Sequence, residues 1–288
     1  MPDQRCVDLH THSRCSDGLL SPADLVAAAK ANGLAALALT DHDTTAGLAE
    51  ALAAGRALGV EVVEGVEVSA FWRETPVHIL GYGIEANNVE LQRCLAELQT
   101  IRRRRNRRIC ERLAAKGIEI TEAELAAAAP GLVGRPHFAR ILTKRGVVAN
   151  EEEAFRRFLR RNGAAYVPKE PFAAERAITA IQAAGGVAVL AHPHTCPLSA
   201  SRLETLVGEL AAAGLGGVEL HYPGMPPAFR QRLERLAAAF SLAATGGSDY
   251  HGGGHHHPLA VCQPPGSSGG FSVPYRYLAE LKQRLGRP

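Results

Sequence analysis

Two histidines separated by a single residue, His10 and His12, close the first apolar segment of the sequence. Alternate residues of an extended chain point to the same side, so the two imidazoles can converge on one metal ion. A lone pair of this kind is a weak indication, because such pairs arise by chance in a chain with 12 histidines. The pair gains weight only if other candidate ligands occupy equivalent positions.

Almost every other apolar segment also ends in residues that can bind a metal ion. In chain order, the candidates are Asp17, the Asp41-His42-Asp43 triplet, Glu67, His78, the His192-Pro193-His194 triplet, Glu219 with His221, and Asp249 with His251. Imidazole and carboxylate ligands without thiolate suit Mn, Zn or Fe. Their recurrence at successive segment ends indicates one shared metal centre.

The elements that would position these residues have the pattern of a parallel sheet built from strand–helix units. Seven short apolar segments predict strands at residues 5–9, 36–40, 60–68, 77–81, 187–191, 217–220 and 242–245. Helices are predicted at residues 22–32, 45–58, 172–184, 199–213, 227–239 and 275–285. In a closed barrel, the carboxyl ends of parallel strands form one rim, where barrel enzymes carry their active sites. We therefore expect the candidate ligands to meet at this rim.

The alternation of strands and helices stops between residues 85 and 168, where no strand is predicted. Helices are predicted there at residues 89–116, 121–129, 136–145 and 151–161, with Gly117 and the Pro130-Gly131 pair ending the first two. We expect residues 1–84 and 169–288 to form a metal-binding barrel, and residues 85–168 to form an all-helical insertion that caps the substrate site.

The composition is that of a folded globular protein and excludes disorder, collagen and coiled coil. Of the 288 residues, 46% are hydrophobic and 21% are charged, and the net charge of +3 does not indicate binding to duplex DNA. No apolar run approaches the roughly 20 residues that a membrane span needs. The first residues lack the pattern of a secretory signal, so we expect a cytoplasmic protein without membrane contact.

The six cysteines are scattered and form no Cys-X-X-Cys pair. This spacing indicates neither a disulfide framework nor a thiolate zinc site, so reduced thiols are expected. Three consecutive histidines, His255, His256 and His257, are surplus to the predicted centre. We expect them to form a mobile loop with weak affinity for metals.

An arginine run in the longest predicted helix of the insertion indicates anion binding. Arg102 and Arg105 interrupt an apolar stripe formed by residues 91, 95, 98, 109 and 113, whereas a solvated helix face explains Arg103, Arg104, Arg107 and Arg108. Because guanidinium groups match the geometry of phosphate, we expect Arg102 and Arg105 to contact a bound anion.

Three further residues are candidates for substrate binding. Arg135 lies just before a predicted helix start, where backbone amides and a guanidinium can hold a phosphate together. Lys169 stands at the return to the barrel, and His194 follows a candidate metal ligand by two residues. The alternatives for these two are an exposed lysine and a histidine that supports a ligand.

Six sequence blocks together resemble the PHP (polymerase and histidinol phosphatase) superfamily of metal-dependent phosphoesterases. The blocks are DLHTHSRCSDG, LTDHDT, GVEVS, HILGY, AHP and GSDYHG, spread over residues 8–252. The resemblance implies an α/β fold, a distorted (β/α)7 barrel, with two or three divalent metal ions. Mn is the expected ion, and Zn and Fe are alternatives.

The resemblance also implies a ligand set. It assigns one ion to His10, His12, Glu67 and Asp249, a second to Glu67, His78 and His192, and a third to Asp17, His42 and His251. Asp17 and His194 are the catalytic candidates. His194 or His221 would protonate the leaving oxygen, since an imidazole with an ordinary pKa can serve as general acid.

Within the superfamily, the helical insertion and the block at residues 134–137, GRPH, resemble one particular branch. That branch removes the 3′-phosphate of nucleoside 3′,5′-bisphosphates and trims short RNA from the 5′ end. The implied substrate is a small nucleotide bisphosphate or a short 5′-phosphorylated oligonucleotide, with one phosphate at the metal ions and the other at Arg135 and the arginines of the cap. Two alternatives stay open: a histidinol-phosphate phosphatase, and a non-catalytic module that binds metal and RNA.

Overall fold

Eight strands form one sheet that curves into a nearly closed barrel in the computed structural model, which describes residues 5–253, 257–262 and 270–286. The strands are β1 (Cys6–Thr11), β2 (Ala36–Leu39), β3 (Glu61–Trp72), β4 (Thr75–Tyr82), β5 (Val187–Leu190), β6 (Gly217–His221), β7 (Ala243–Gly246) and β8 (Val273–Pro274). Their order is β7-β6-β5-β4-β3-β2-β1-β8. A bridge between Thr11 and Tyr250 brings β1 next to the segment that follows β7. The predicted α/β barrel is therefore confirmed.

The parallel pairs β1–β2, β2–β3, β5–β6 and β6–β7 follow the predicted pattern. Strands β1 and β2 are buried along their whole length. This burial is typical of barrel strands, which helices cover on the outer face and packed side chains cover on the inner face, and it explains their continuous apolar sequence.

Strand β4 departs from the predicted parallel pattern, because it pairs antiparallel with both β3 and β5. Strands β3 and β4 form a hairpin whose turn contains Arg73, with a φ of 54°. Only residues 69–76 separate the two predicted strands, and a parallel crossover needs a dozen or more residues. The short strand β8, antiparallel to β1, was not predicted; its two residues are too few to produce a periodic signal.

Ten α-helices lie in the described ranges. They are α1 (Pro22–Ala31), α2 (Leu48–Leu58), α3 (Val89–Ala114), α4 (Glu122–Ala128), α5 (Arg135–Lys144), α6 (Glu151–Ala154), α7 (Ala174–Ala183), α8 (Ala200–Ala212), α9 (Pro227–Ala239) and α10 (Arg276–Arg284). Each overlaps a predicted helix. Ser21 caps α1 as expected, since its hydroxyl accepts a hydrogen bond of 3.0 Å from the amide of Asp24.

Helices α3 to α6 lie between β4 and α7 and share a hydrophobic core of their own. This core includes Ile109 and Leu113 of α3, Phe138 and Leu142 of α5, and Leu159 in the π-helical turn after α6. The first half of α3, by contrast, packs its leucines into the core of the barrel. The helical segment is thus anchored on the barrel along one helix, while the exact domain limits at residues 85 and 168 stay a prediction.

A disulfide bond joins Cys6 at the start of β1 to Cys262, with their Cα atoms 5.2 Å apart. The expectation of reduced thiols is therefore wrong for this pair. The two cysteines are 256 residues apart in the chain, so only the closure of the barrel brings them together and no local spacing could indicate the bond. Cys15, Cys94, Cys110 and Cys196 are free thiols.

None of the helices in the described ranges is long and apolar enough to cross a membrane. The mobile loop was expected at residues 255–257, and two of these three residues lie outside the described ranges.

Candidate metal centre

The candidate centre lies at the carboxyl ends of the strands, where β1 pairs with the segment that follows β7. The amide of His12 donates to the carbonyl of Tyr250 at 2.8 Å, and the amide of Tyr250 donates to the carbonyl of His10 at 3.3 Å. This pairing brings Asp249 and His251 beside the His10–His12 pair. The rings of His12 and His251 stack with their centroids 4.0 Å apart.

A short extension of β2 places His42 next to Glu67 of β3. The amide of Asp43 donates to the carbonyl of Glu67 at 2.9 Å, and the amide of Glu67 donates to the carbonyl of Asp41 at 3.2 Å. The His42 Nδ1 atom consequently lies 2.9 Å from Glu67 Oε2. The antiparallel hairpin adds His78 from β4, whose register places it opposite Ser69.

Three groups of side chains offer ligand atoms that all lie within 4.8 Å of one another. The groups are His10, His12, Glu67 and Asp249; His12, Asp17, His42 and His251; and His42, Glu67 and His78. The first equals the set that the sequence resemblance implied for one ion, and the second adds His12 to the implied third set. The remaining group contains His42 where the implied set has His192.

Glu67 is the hub of the centre, and each of its carboxylate oxygens lies close to histidine ring nitrogens. Oε1 lies 2.8 Å from His78 Nδ1 and 3.0 Å from His192 Nε2. Oε2 lies 3.3 Å from His10 Nε2 and 3.2 Å from His12 Nε2. His192 thus contacts the same oxygen as His78, so the implied trio of Glu67, His78 and His192 is also brought together.

Several buried ligand atoms in the described chain have no hydrogen-bond partner. They are His10 Nε2, both ring nitrogens of His12, Asp17 Oδ1, His42 Nδ1 and Glu67 Oε2. Buried polar atoms without partners are destabilising, and these atoms converge on common points without hydrogen-bond geometry toward one another. The donor set of imidazoles and carboxylates fits divalent Mn, Zn or Fe. The residues present therefore fit a metal cluster.

Burial and neighbouring charges adjust the ligands for metal binding. Burial, aided by Lys169 and opposed by Glu67, lowers the pKa of His78 to about 3. The neutral ring can then offer Nδ1 as a ligand. Burial raises the pKa of Glu67, but His42, His78 and His10 outweigh it and hold that pKa well below the usual range.

Two residues that the sequence-based ligand set omitted support the ligands. Glu219 is fully buried, and its carboxylate contacts His10 Nδ1 at 3.0 Å and accepts a 2.7 Å hydrogen bond from the amide of His192. The Tyr222 hydroxyl donates to Asp249 Oδ2 at 2.9 Å. Such contacts fix the tautomer and orientation of metal ligands. The position of Glu219 near the end of an apolar strand was a usable signal, whereas nothing in the sequence marks Tyr222.

The two aspartates that flank His42 are not in the candidate ligand groups, and each accepts hydrogen bonds from serines instead. Asp41 accepts hydrogen bonds from the hydroxyls of Ser13 and Ser16 at 2.6 and 2.5 Å, and Asp43 accepts one from the amide of Ser69 at 2.7 Å. Neither caps α2, whose N-cap is Gly47. Their role is to tie together the loops that carry the ligands.

Three non-glycine residues of the centre have left-handed backbone conformations. The φ angles are 52° at Asp43, 27° at His192 and 55° at Asp249. Such conformations cost roughly 1–3 kcal/mol each and persist where the surroundings enforce them, often at functional sites.

His194 lies beside the centre. Its predicted role as a general acid assumed an ordinary pKa, and the structure does not support that assumption. Its ring lies 4.7 Å from that of Tyr222, and its Nδ1 is buried without a partner. Burial and the nearby His192 lower the pKa of His194 to about 4, so the ring is neutral near pH 7. The alternative acid, His221, packs its ring 5.0 Å from that of Tyr277 on α10. An irregularity in β6 between Glu219 and His221 accounts for this difference in orientation.

Four cationic side chains, Arg102, Arg105, Arg135 and Lys169, form what we call the cationic cluster. Arg102 pairs with Asp43 at 2.6 Å, and Lys169 Nζ lies 3.4 Å from His78 Nε2, so the cluster adjoins the centre. Arg105 and Arg135 donate to the backbone carbonyls of residues 167 and 159. Within the described ranges, no carboxylate lies within 4.0 Å of the charged nitrogens of Arg105, Arg135 or Lys169.

Burial and mutual repulsion lower the pKa of three members of the cationic cluster, Arg105, Arg135 and Lys169, whereas for Arg102 burial is outweighed by Asp43, which raises its pKa. Burial, together with Arg135 and Arg102, lowers the pKa of Arg105 to about 9. Burial, together with Arg102 and Arg135, lowers the pKa of Lys169 to about 7. A bound anion would relieve this repulsion.

The arrangement of buried imidazoles and carboxylates at a barrel rim, next to the cationic cluster, defines a metal-dependent hydrolase of phosphoric esters. The family model described as PHP domain matches residues 8–170. The chain belongs to the PHP domain family.

Individual relatives agree with this assignment. The chain is 38% identical over 244 residues to a 5′-3′ exoribonuclease from Haemophilus influenzae, covering 85% of this chain and 89% of the relative. It is 37% identical over 268 residues to a 3′,5′-nucleoside bisphosphate phosphatase from Chromobacterium violaceum, covering 90% and 94%. A solved structure from Bifidobacterium adolescentis, named as a candidate metal-dependent phosphoesterase, superposes with a TM-score of 0.83 at 32% identity and covers 99% and 98% of the two chains.

Removal of divalent ions is expected to lower the melting temperature. An ion at 1,000-fold excess over its Kd stabilises the folded state by about 4 kcal/mol, which corresponds to roughly 10 °C for a chain of this size. Calorimetry after chelation and after Mn²⁺ addition measures the difference. A Glu64→Gln variant serves as a control, because Glu64 lies on β3 but outside the candidate ligand groups, and it should show the full shift in melting temperature. Equal melting temperatures under both conditions, with no ion retained, would contradict a metal centre.

Proposed function

We propose that this chain is a metal-dependent phosphatase that removes the 3′-phosphate of nucleoside 3′,5′-bisphosphates, and that it trims short 5′-phosphorylated RNA from the 5′ end by the same step. The single observation that carries the proposal is the position of the cationic cluster directly beside the candidate metal centre. Two adjacent sites for anions suit a substrate with two phosphates.

In this proposal the ligand set is the one that the sequence implied. His10, His12, Asp17, His42, Glu67, His78, His192, Asp249 and His251 hold two or three divalent ions, Mn by preference and Zn or Fe otherwise. When bound, such ions polarise phosphate oxygens and lower the pKa of water toward neutrality. Asp17 is a ligand at the side of the centre nearest to the cap.

The remaining residues bind and orient the substrate. Arg135, Arg102, Arg105 and Lys169 hold the 5′-phosphate, which fixes the 3′-phosphate at the centre. Water attacks phosphorus and loses a proton, the bond from phosphorus to the ribose 3′ oxygen breaks, and that oxygen takes up a proton, so that no net proton is consumed. His194, neutral and with an unpartnered Nδ1, contacts the leaving oxygen as a hydrogen-bonding group.

The alternatives fit the charges less well. Histidinol phosphate carries a cationic ammonium group and an imidazole, which the cationic cluster would repel. A non-catalytic module that binds metal and RNA would use the same ligand atoms, but relatives of this chain are named as a phosphatase and as exoribonucleases. We also propose that the protein acts in the cytoplasm and does not bind duplex DNA.

Phosphate release with Mn²⁺ tests the function on adenosine 3′,5′-bisphosphate, AMP, a 5′-phosphorylated dinucleotide and histidinol phosphate. The expected result is the highest kcat/KM for the bisphosphate, with AMP and phosphate as products. Preferential turnover of histidinol phosphate would reassign the substrate. Inactivity on all four substrates with metal ions bound would favour the binding module.

A further inference from the structure

The helical cap carries a groove beside the arginine run of α3. We call it the cap groove; it has a volume of about 470 Å³ and lies between α3, α4 and residues 131–133. Its lining residues are Arg102, Arg103, Asn106, Arg107, Cys110, Ile120, Glu122, Leu125, Gly131, Leu132 and Val133. The volume falls within the range of about 300–1,000 Å³ that is typical of ligand sites. The catalytic proposal above gives this groove no role.

One residue of the cap groove, Arg102, also contacts residues beside the centre. Its side chain pairs with Asp43 and donates to the Ser69 hydroxyl at 2.9 Å. A methyl group placed on Gly134 would lie 3.5 Å from Arg102 Nη1 and 3.9 Å from Asp17 Oδ2. Gly134 therefore lies between Arg102, which lines the groove, and the candidate ligand Asp17.

Hydrogen bonds fix the walls of the groove. The amide of Leu132 donates to the carbonyl of Cys15 at 2.9 Å, which ties this wall to the loop that carries Asp17. Any side chain at Gly131 would collide with the backbone of Cys15. The Asn106 amide donates to the carbonyl of Val133 at 3.0 Å and joins the opposite wall to it. The groove is therefore preformed, which reduces the entropy lost on binding.

The two walls differ in chemistry. One wall carries the apolar side chains of Ile120, Leu125, Leu132 and Val133. The other carries Arg103 and Arg107, one helical turn apart on α3 and both exposed. Within the described ranges neither arginine has a carboxylate within 4.0 Å, and Glu122 is the one carboxylate among the lining residues. Apolar surface opposite guanidinium groups suits the base faces and the phosphates of a single nucleic acid strand.

We infer that the cap groove binds the nucleotides that follow the scissile phosphate of a short single-stranded RNA. The inference rests on the proposed function. In a 5′-phosphorylated oligonucleotide, the phosphate at the centre carries the next nucleoside on its 5′ oxygen. That nucleoside must leave the centre along an open path, and the groove provides one with the required charge. A duplex would keep its base faces stacked and unable to contact the apolar wall.

The test compares Arg107→Ala with Arg108→Ala, an exposed arginine on the same helix that does not line the groove. The substrates are adenosine 3′,5′-bisphosphate and a 5′-phosphorylated adenosine pentamer. We expect Arg107→Ala to reduce kcat/KM for the pentamer about 10-fold, as for loss of one charge-assisted contact, and to change the bisphosphate less than about 2-fold. Arg108→Ala should change neither substrate.

Salt dependence adds a second readout. Each phosphate contact on a single strand contributes a slope of about −0.7 to the logarithm of affinity against the logarithm of salt concentration. Arg107→Ala should reduce the slope for the pentamer by about that amount. Equal effects of the two variants on the pentamer would overturn the groove and leave the bisphosphatase intact. Hydrolysis of the bisphosphate without any cleavage of the pentamer would do the same, whereas inactivity of the wild type on both would overturn the proposed function as well.

Discussion

Replacing Glu67 by glutamine is expected to reduce kcat/KM for adenosine 3′,5′-bisphosphate by about 10²–10⁴-fold. Loss of the charged ligand weakens binding of ions that contribute several kcal/mol of transition-state stabilisation, and each ~1.4 kcal/mol is roughly tenfold in rate. Glu67 is fully buried, and its two oxygens contact five histidines. The amide has the same shape but no negative charge, and its N–H group would face ring nitrogens that must bind metal.

The matched control is Glu64→Gln, the same substitution three residues earlier on β3, where the side chain is partly exposed and outside the candidate ligand groups. Elemental analysis should find fewer bound ions in Glu67→Gln and an unchanged number in Glu64→Gln. Circular dichroism checks that both variants fold. A folded Glu67→Gln variant with full metal content and full activity would refute the role of Glu67 as the hub.

Replacing Arg135 by alanine is expected to separate the two anion sites. The loss of a charge-assisted contact to the 5′-phosphate costs about 1.5–3 kcal/mol, or roughly 10–150-fold in kcat/KM for the bisphosphate. 4-Nitrophenyl phosphate has a single phosphate, which binds at the centre, so its hydrolysis should change less than about 3-fold. The ratio of the two rates is the measurement.

Arg156→Ala serves as the control, because this exposed arginine of the same helical segment pairs only with Glu153 among the described residues. Its activity on both substrates should equal that of the wild type. Arg135→Lys retains the charge but not the fork, and should recover part of the activity on the bisphosphate. Equal loss on both substrates after Arg135→Ala would refute the two-site model.

The sequence was sufficient to locate the candidate centre because its ligands stand at the ends of apolar segments. Barrel closure brings those ends together whatever the exact strand limits are, so His10, Glu67 and Asp249 meet as expected. The inward position of Arg105 was also foreseeable, because it interrupts an apolar stripe of α3. It is 9% exposed, whereas Arg104 and Arg108 face solvent.

Features that depend on long-range contacts could not be predicted in the same way. The hydrogen bond from Tyr222 to Asp249 and the disulfide between Cys6 and Cys262 form between residues that only the closed barrel brings together. The pKa of His194 depends mainly on the burial of its ring and also on His192. Burial results from the packing of the folded chain and has no local signal in the sequence. The antiparallel direction of β4 is different, because the length of the connection already required it.

The left-handed backbone at Asp43, His192 and Asp249 links function to the limits of stabilisation. Glycine would adopt the same conformations without steric cost, but at Asp43 it would also remove the ion pair with Arg102 and the hydrogen bond from the Ser69 amide. Such variants would lose the side chains that build the centre. Ser241 has a φ of 53° just after α9 and no contact with the centre. Glycine at Ser241 is therefore expected to raise the melting temperature, whereas the strain around the candidate centre is a cost to folding that comes with the side chains placed there.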